Sequence, residues 1–177
     1  MLIDRDPSEL VPKLSVGPGC KVALAPELFL LAGPLRIAGC RVVSAREPVG
    51  SASHTIVCAL SREEGPGLAV YAHALAEVSS LWVAVPRKSA DVAGLPPPEK
   101  RPTLGDLQQV FIPLGLSDNK LVSFGTVLVA YRFVRKPPRP SAEGGPDADL
   151  DLLEQKKRRA RKPQERLEDA AGPKPKR

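Results

Sequence analysis

The chain has 177 residues, of which 42% are apolar but only 4% aromatic, and its net charge is +6. With a final stretch of about 40 residues set aside as too polar to fold alone, about 135 remain, which suits one domain. No apolar run approaches 18 residues, and Met1-Leu2-Ile3-Asp4-Arg5 lacks the basic and apolar regions of a secretion signal, so a soluble protein made in the cytosol is expected.

After a segment punctuated by Pro7, Pro12 and Pro18, the apolar run from Lys21 to Leu31 is interrupted by Pro26 and reads as strand or extended edge. Leu35 to Val43 alternates, with Leu35, Ile37 and Val43 on one face, and Gly39 marks a bulge. Thr55 to Ser61 is short, rich in β-branched residues and bounded by turn signals, hence a strand. Leu68 to Val78 carries Leu68, Tyr71, Ala72 and Leu75 at three-to-four-residue spacing, which permits a short helix. Ser80 to Val85 alternates Leu81, Val83 and Val85 against Trp82 and Ala84 as a strand ended by Pro86. Leu107 to Leu114 reads as another strand, and Val122 to Val134, with Val127, Val129, Tyr131 and Phe133 on one face, reads as the clearest strand of all.

Six or so short strands with one or two short helices imply a mainly β fold, a single antiparallel sandwich or jelly-roll-like domain. The expected organisation is an N-terminal extension (1–14), the β domain (15–135), a proline-rich and acidic linker (136–154) and a disordered basic tail (155–177). Charge follows the same division. Residues 1–135 hold 14 Lys+Arg against 12 Asp+Glu, residues 136–154 hold 2 against 5, and residues 155–177 hold 10 against 3. The excess is therefore confined to the tail, where Lys156, Lys157, Arg158, Arg159, Arg161 and Lys162 form the candidate nucleic-acid-binding residues. By charge alone the same run fits a nuclear import signal equally well.

Catalytic signals are sparse. The chain lacks G-x-x-x-x-G-K-[ST], G-x-G-x-x-G and G-x-S-x-G, and Pro18 removes a backbone donor from the one glycine-bearing turn, Gly17 to Lys21, that resembles a phosphate loop. His54 and His73 could in principle serve Ser53 or Cys58 as bases, but a loop histidine and a half-buried histidine are the plainer reading. Glu63 and Glu64 read as a solvated loop, Asp91 as a scattered loop residue, and Trp82 as core rather than a base-stacking platform beside Arg87 and Lys88; Tyr131 and Arg132 carry the same two readings. Cys20, Cys40 and Cys58 form no C-x-x-C pair, so reduced thiols and an intracellular setting are expected. No cofactor and no metal site are implied.

The strand series Leu35 to Val43, Thr55 to Glu64, Leu81 to Pro86 with Asp91 beyond it, and Gly125 to Phe133 resembles the thirty-kilodalton superfamily of plant-virus movement proteins, although the aspartate expected in the second strand is here Ser61. That resemblance implies a jelly-roll core, cooperative binding of single-stranded nucleic acid, RNA foremost, and passage between host cells through plasmodesmata. The expected function is thus non-enzymatic carriage of nucleic acid in the host cytoplasm and at cell junctions, with self-association. A viral capsid or matrix subunit, and a nuclear adaptor whose tail addresses an import receptor, are the alternatives.

Overall fold

The computed structural model describes residues 2–136, and four of its strands run parallel. These are β1 (Lys21–Leu24), β2 (Arg41–Ser44), β3 (His54–Cys58) and β4 (Ser80–Pro86). Two longer strands, β5 (Leu116–Ser123) and β6 (Leu128–Arg135), form a hairpin, and β6 lies antiparallel against β4. The resulting mixed sheet has the order β2-β1-β3-β4-β6-β5.

Helices cover both faces. On one, α1 (Pro7–Leu10), the 3-10 turns Val11–Leu14 and Pro26–Leu31, and α2 (Ala32–Ile37) bring Leu10, Leu14, Leu28, Leu31 and Leu35 against Val22, Ile56, Trp82 and Leu128. On the other, α3 (Ala69–Ala74) and α4 (Leu104–Phe111) bring Leu68, Ala72, Leu107 and Phe111 against Val57, Leu81, Val83 and Phe133. The Phe111 and Phe133 rings meet at 4.7 Å between centroids, and each fully buried side chain of this size contributes about 1.5–3 kcal/mol.

This architecture overturns the expected antiparallel sandwich or jelly roll. The deciding strand is β4, all seven residues of which are buried. Trp82 and Ala84 enter one core while Leu81, Val83 and Val85 enter the other. A strand apolar on both sides belongs to a sheet covered on both faces, the setting of parallel α/β folds.

Local corrections follow the same logic. Leu28, Leu31 and Leu35 are fully buried at helical spacing, so of the two strands expected over 21–31 and 35–43 only Lys21–Leu24 and Arg41 onward are strand, and Pro26 to Ile37 between them is a 3-10 turn followed by α2. Pro26 and Pro34 do not break it, because each sits in a first turn where the missing N–H has no partner to lose. Gly39, at φ +82°, caps α2 instead of forming a bulge: its N–H donates to Arg36 O at 2.9 Å and Cys40 N–H to Leu35 O at 3.0 Å, a Schellman closure. Leu107 to Leu114 was expected as a strand, yet Thr103 and Asp106 form a capping box and Leu107 and Phe111 share one helical face. Val122 to Val134 is interrupted by the hairpin turn at Gly125, whose φ of +126° ends one strand and starts the next.

Candidate ligand site

The direction of winding locates the site. β1 leads through α2 outward to β2, whereas β3 leads through α3 the other way to β4, so strand order reverses between β1 and β3. In open α/β sheets ligands lie outside the carboxyl ends of the strands at such a switch point. Here that position holds a crevice of about 480 Å³. Its floor is apolar, from Ala25, Val57 and Leu68, and its rim carries Glu27, Arg46, Cys58 and Tyr71.

Backbone bonds fix the loops around it. Ala25 N–H donates to Ile56 O and Ala45 N–H to Leu24 O, both at 2.9 Å, which ties the exits of β1, β2 and β3 together. The Tyr71 hydroxyl donates to Ala45 O at 2.6 Å, anchoring α3 to the β2 exit. Leu60 N–H donates to a Glu64 carboxylate oxygen at 2.7 Å and turns that side chain back over β3.

Burial governs the titrating groups of the crevice, with nearby carboxylates second. Burial pushes the Cys58 thiol up to about 12, with the negative charges of Glu27 and Glu64 adding to the shift. Tyr71 is raised by burial and then by Glu27 and Glu47. Of these carboxylates only Glu27 lines the crevice, together with the guanidinium of Arg46. Cys58 stays a thiol at neutral pH, which removes it as a nucleophile.

A second groove of about 380 Å³ opens beyond β4, lined among others by Lys88, Ser89, Thr103, Val129 and Tyr131. The loop that carries Lys88 is held by Arg101, only 4% exposed, whose guanidinium donates to the carbonyls of Pro96 (2.7 Å), Arg87 (2.7 Å), Lys88 (3.1 Å) and Ala90 (2.8 Å). Between crevice and groove, Arg62 pairs with Asp106 at 3.2 Å.

Residues singled out from the sequence are not gathered here. Lys156, Lys157, Arg158, Arg159, Arg161 and Lys162 lie outside the described residues. His54 opens β3 while Cys58 closes it, about 13 Å away at strand rise, so the two cannot act together. His54 is buried, its Nδ1 lies 2.7 Å from the Ser80 hydroxyl, and burial followed by the Arg132 charge lowers its pKa. His73, Glu63 and Asp91 are exposed. Trp82 is fully buried, with the Arg132 guanidinium carbon 6.0 Å from its ring centroid, and is out of reach of any base. Among the described residues no group of three or more His, Cys, Asp or Glu could hold a metal, and no helix is long and apolar enough to cross a membrane. The rim residues Glu27, Arg46 and Tyr71 carry no motif; only the strand order brings them together.

No protein-family model and no curated protein matches the sequence. Solved structures do match in fold. An S-adenosylmethionine-dependent methyltransferase from Aquifex aeolicus superposes with a TM-score of 0.55 at 12% identity, over 75% of this chain and 89% of that one. A structure assigned to the type 11 methyltransferases, from Sulfolobus solfataricus, gives 0.56 at 14% identity, over 81% and 98%. This likeness overturns the movement-protein resemblance and its jelly roll. The expected nucleic-acid carrier, the capsid or matrix alternative and the nuclear adaptor lose their basis with it, and so does the expectation of a chain without enzymatic function, since the proteins that share this sheet are named as enzymes. The chain has the α/β fold of S-adenosylmethionine-dependent methyltransferases, at an identity that establishes the fold alone.

Proposed function

We propose that this chain binds S-adenosylmethionine in the crevice between β1 and β3 and takes part in methyl transfer. The observation that carries the reading is a partly apolar crevice at the switch point whose lining brings the Glu27 carboxylate and the Arg46 guanidinium together. One charge of each sign on an apolar floor favours a ligand that carries both.

The residues present fit this cofactor, with one departure. A crevice of about 480 Å³ falls within the range of small-molecule sites. Glu27 suits a sulfonium or ammonium, Arg46 suits a carboxylate, and the floor of Ala25, Val57 and Leu68 suits an apolar heterocycle. The departure is the turn after β1, which reads Ala25-Pro26-Glu27 where dinucleotide folds place glycines for close backbone approach. Pro26 has no N–H and the Ala25 N–H is already spent on Ile56 O. Neither residue offers a free backbone amide, so the side chains of Glu27 and Arg46 are the proposed holds.

When bound, the cofactor supplies an electrophilic methyl group on a sulfonium sulfur. The acceptor is read on the side of the groove beyond β4, where Lys88, Ser89 and Tyr131 side chains have no hydrogen-bond partner among the described residues. Calorimetric titration with S-adenosylmethionine and its uncharged-sulfur product S-adenosylhomocysteine tests the reading. The wild type should favour the sulfonium form, and Glu27→Gln should weaken it about ten-fold, or ~1.4 kcal/mol, while narrowing the preference. Absence of binding by both compounds, or an affinity indifferent to Glu27, would refute it.

A further inference from the structure

The two edges of the sheet are built differently. β5 is eight residues long, carries Asp118 and Lys120, and shifts register between them. Charge and irregularity of this kind are how an edge strand avoids pairing with another chain. β2 is regular, and it pairs only with β1. Arg41 N–H donates to Cys20 O and Ala45 N–H to Leu24 O, so the alternation of a parallel ladder turns the N–H and C=O of Val42 and Ser44 outward.

Beside this edge runs a groove of about 410 Å³, separate in its lining from the crevice except at Pro26 and Arg46. Leu24, Phe29, Val42 and Val43 give it an apolar floor, and Phe29 is 67% exposed. Arg36 and Arg46 stand on its rim and Arg41 opens the strand. Among the described residues none of the three guanidinium groups has a salt-bridge or side-chain hydrogen-bond partner, and no carboxylate lines the groove.

We infer that the β2 edge is a docking surface for an extended acidic peptide segment of a partner protein. The peptide adds a strand beside β2 by pairing with Val42 and Ser44, sets alternate apolar side chains beside Val43 on one face of the sheet, and meets Arg36 of α2 on the other face with the carboxylates between them. Charge selects this occupant over a second copy of the chain, because two β2 edges brought together would oppose Arg36, Arg41 and Arg46 to their own kind. The apolar floor between the arginines, and the open backbone edge, select a peptide over a nucleic acid.

The probe is a labelled peptide alternating Glu and Val, titrated into the ¹⁵N-labelled full chain, with a Lys/Val peptide, a backbone N-methylated Glu/Val peptide and a single-stranded oligonucleotide as comparisons. The Glu/Val peptide should shift the amides of Val42 and Ser44, and both comparison peptides should fail to. Arg36→Glu, at an exposed helix position outside the crevice, should weaken binding about ten-fold, and Val42→Pro, which an edge strand tolerates, should abolish the shifts at Ser44. Should Val42→Pro not fold, Arg36→Glu and the N-methylated peptide decide the matter. Shifts that leave Val42 and Ser44 unmoved, as for a peptide held by residues 155–177, equal binding by the N-methylated peptide, or an oligonucleotide that occupies the same amides would each overturn the inference.

Discussion

Replacing Arg101 by leucine should remove a large share of the stability of the domain. The side chain is 4% exposed, yet no carboxylate accompanies it; its charge is satisfied by the carbonyls of Pro96, Arg87, Lys88 and Ala90 at 2.7–3.1 Å. Leucine keeps the packing of the inner methylenes only and leaves these acceptors without a donor. A hydrogen bond to a charged group is worth about 1.5–3 kcal/mol, and a carbonyl left unpaired costs about 1–3 kcal/mol where water cannot reach it. Not all four lose fully, because the loop from Arg87 to Arg101 can relax towards solvent, which places the net loss at roughly 3–5 kcal/mol. Domains of this size have about 5–15 kcal/mol in all. Urea unfolding of the Arg101→Leu protein should therefore show a midpoint lowered by roughly a fifth or more, with Arg101→Lys intermediate because one ammonium cannot reach the span of carbonyls that a guanidinium covers. The exposed pair Arg5–Glu9 supplies the control, since Arg5→Ala should change stability by less than about 1 kcal/mol. An Arg101→Leu protein within about 1 kcal/mol of wild type would show that the loop beyond β4 is not held this way.

Two further outcomes follow from the titrating groups. With its thiol pushed up to about 12, Cys58 should be thiolate to only about one part in ten thousand at pH 8, so timed alkylation read by mass spectrometry should label half-exposed Cys20 well before it; equal rates would contradict the electrostatic description of the crevice. His54 has a folded pKa below its unfolded value near 6.5, lowered by burial and then by Arg132, so the unfolded chain takes up the proton first on acidification. Its contribution to stability is complete above about pH 6.5 and is lost as pH falls towards the folded value. His54→Gln should flatten the unfolding midpoint over that window, and an unaltered slope would argue against a buried, neutral His54.

Much of the sheet was legible in the sequence while its topology was not. β3, β4 and α3 lie where β-branched runs and three-to-four-residue spacing put them. Trp82 is core as its type indicated, but the alternation of Leu81, Val83 and Val85 with Trp82 and Ala84 did not show that both sides of β4 are covered. Alternation by size is not alternation by polarity, and only the latter indicates a one-sided sheet. Proline misled in the other direction, since Pro26 and Pro34 look like breakers until their place in a first turn is known. For α4 the signal was present: Thr103 three residues before Asp106 is a capping-box spacing, and it outweighs the apparent alternation of Leu107, Gln109 and Phe111. The crevice is harder still to foresee. Glu27, Arg46, Cys58 and Tyr71 come from four segments, and the glycines that usually advertise such a turn are replaced by Ala25-Pro26-Glu27.

The central claim is that the reversal of strand order between β1 and β3 makes the functional site of this chain. A crystal structure of the full chain grown with ~1 mM S-adenosylmethionine, at the weak end of small-ligand affinities, tests it most directly. Ligand density over the ends of Leu24 and Cys58, with Glu27 towards the positive end and Arg46 towards the carboxylate, is the predicted result. An empty crevice, or density seated only elsewhere on the domain, would contradict the account.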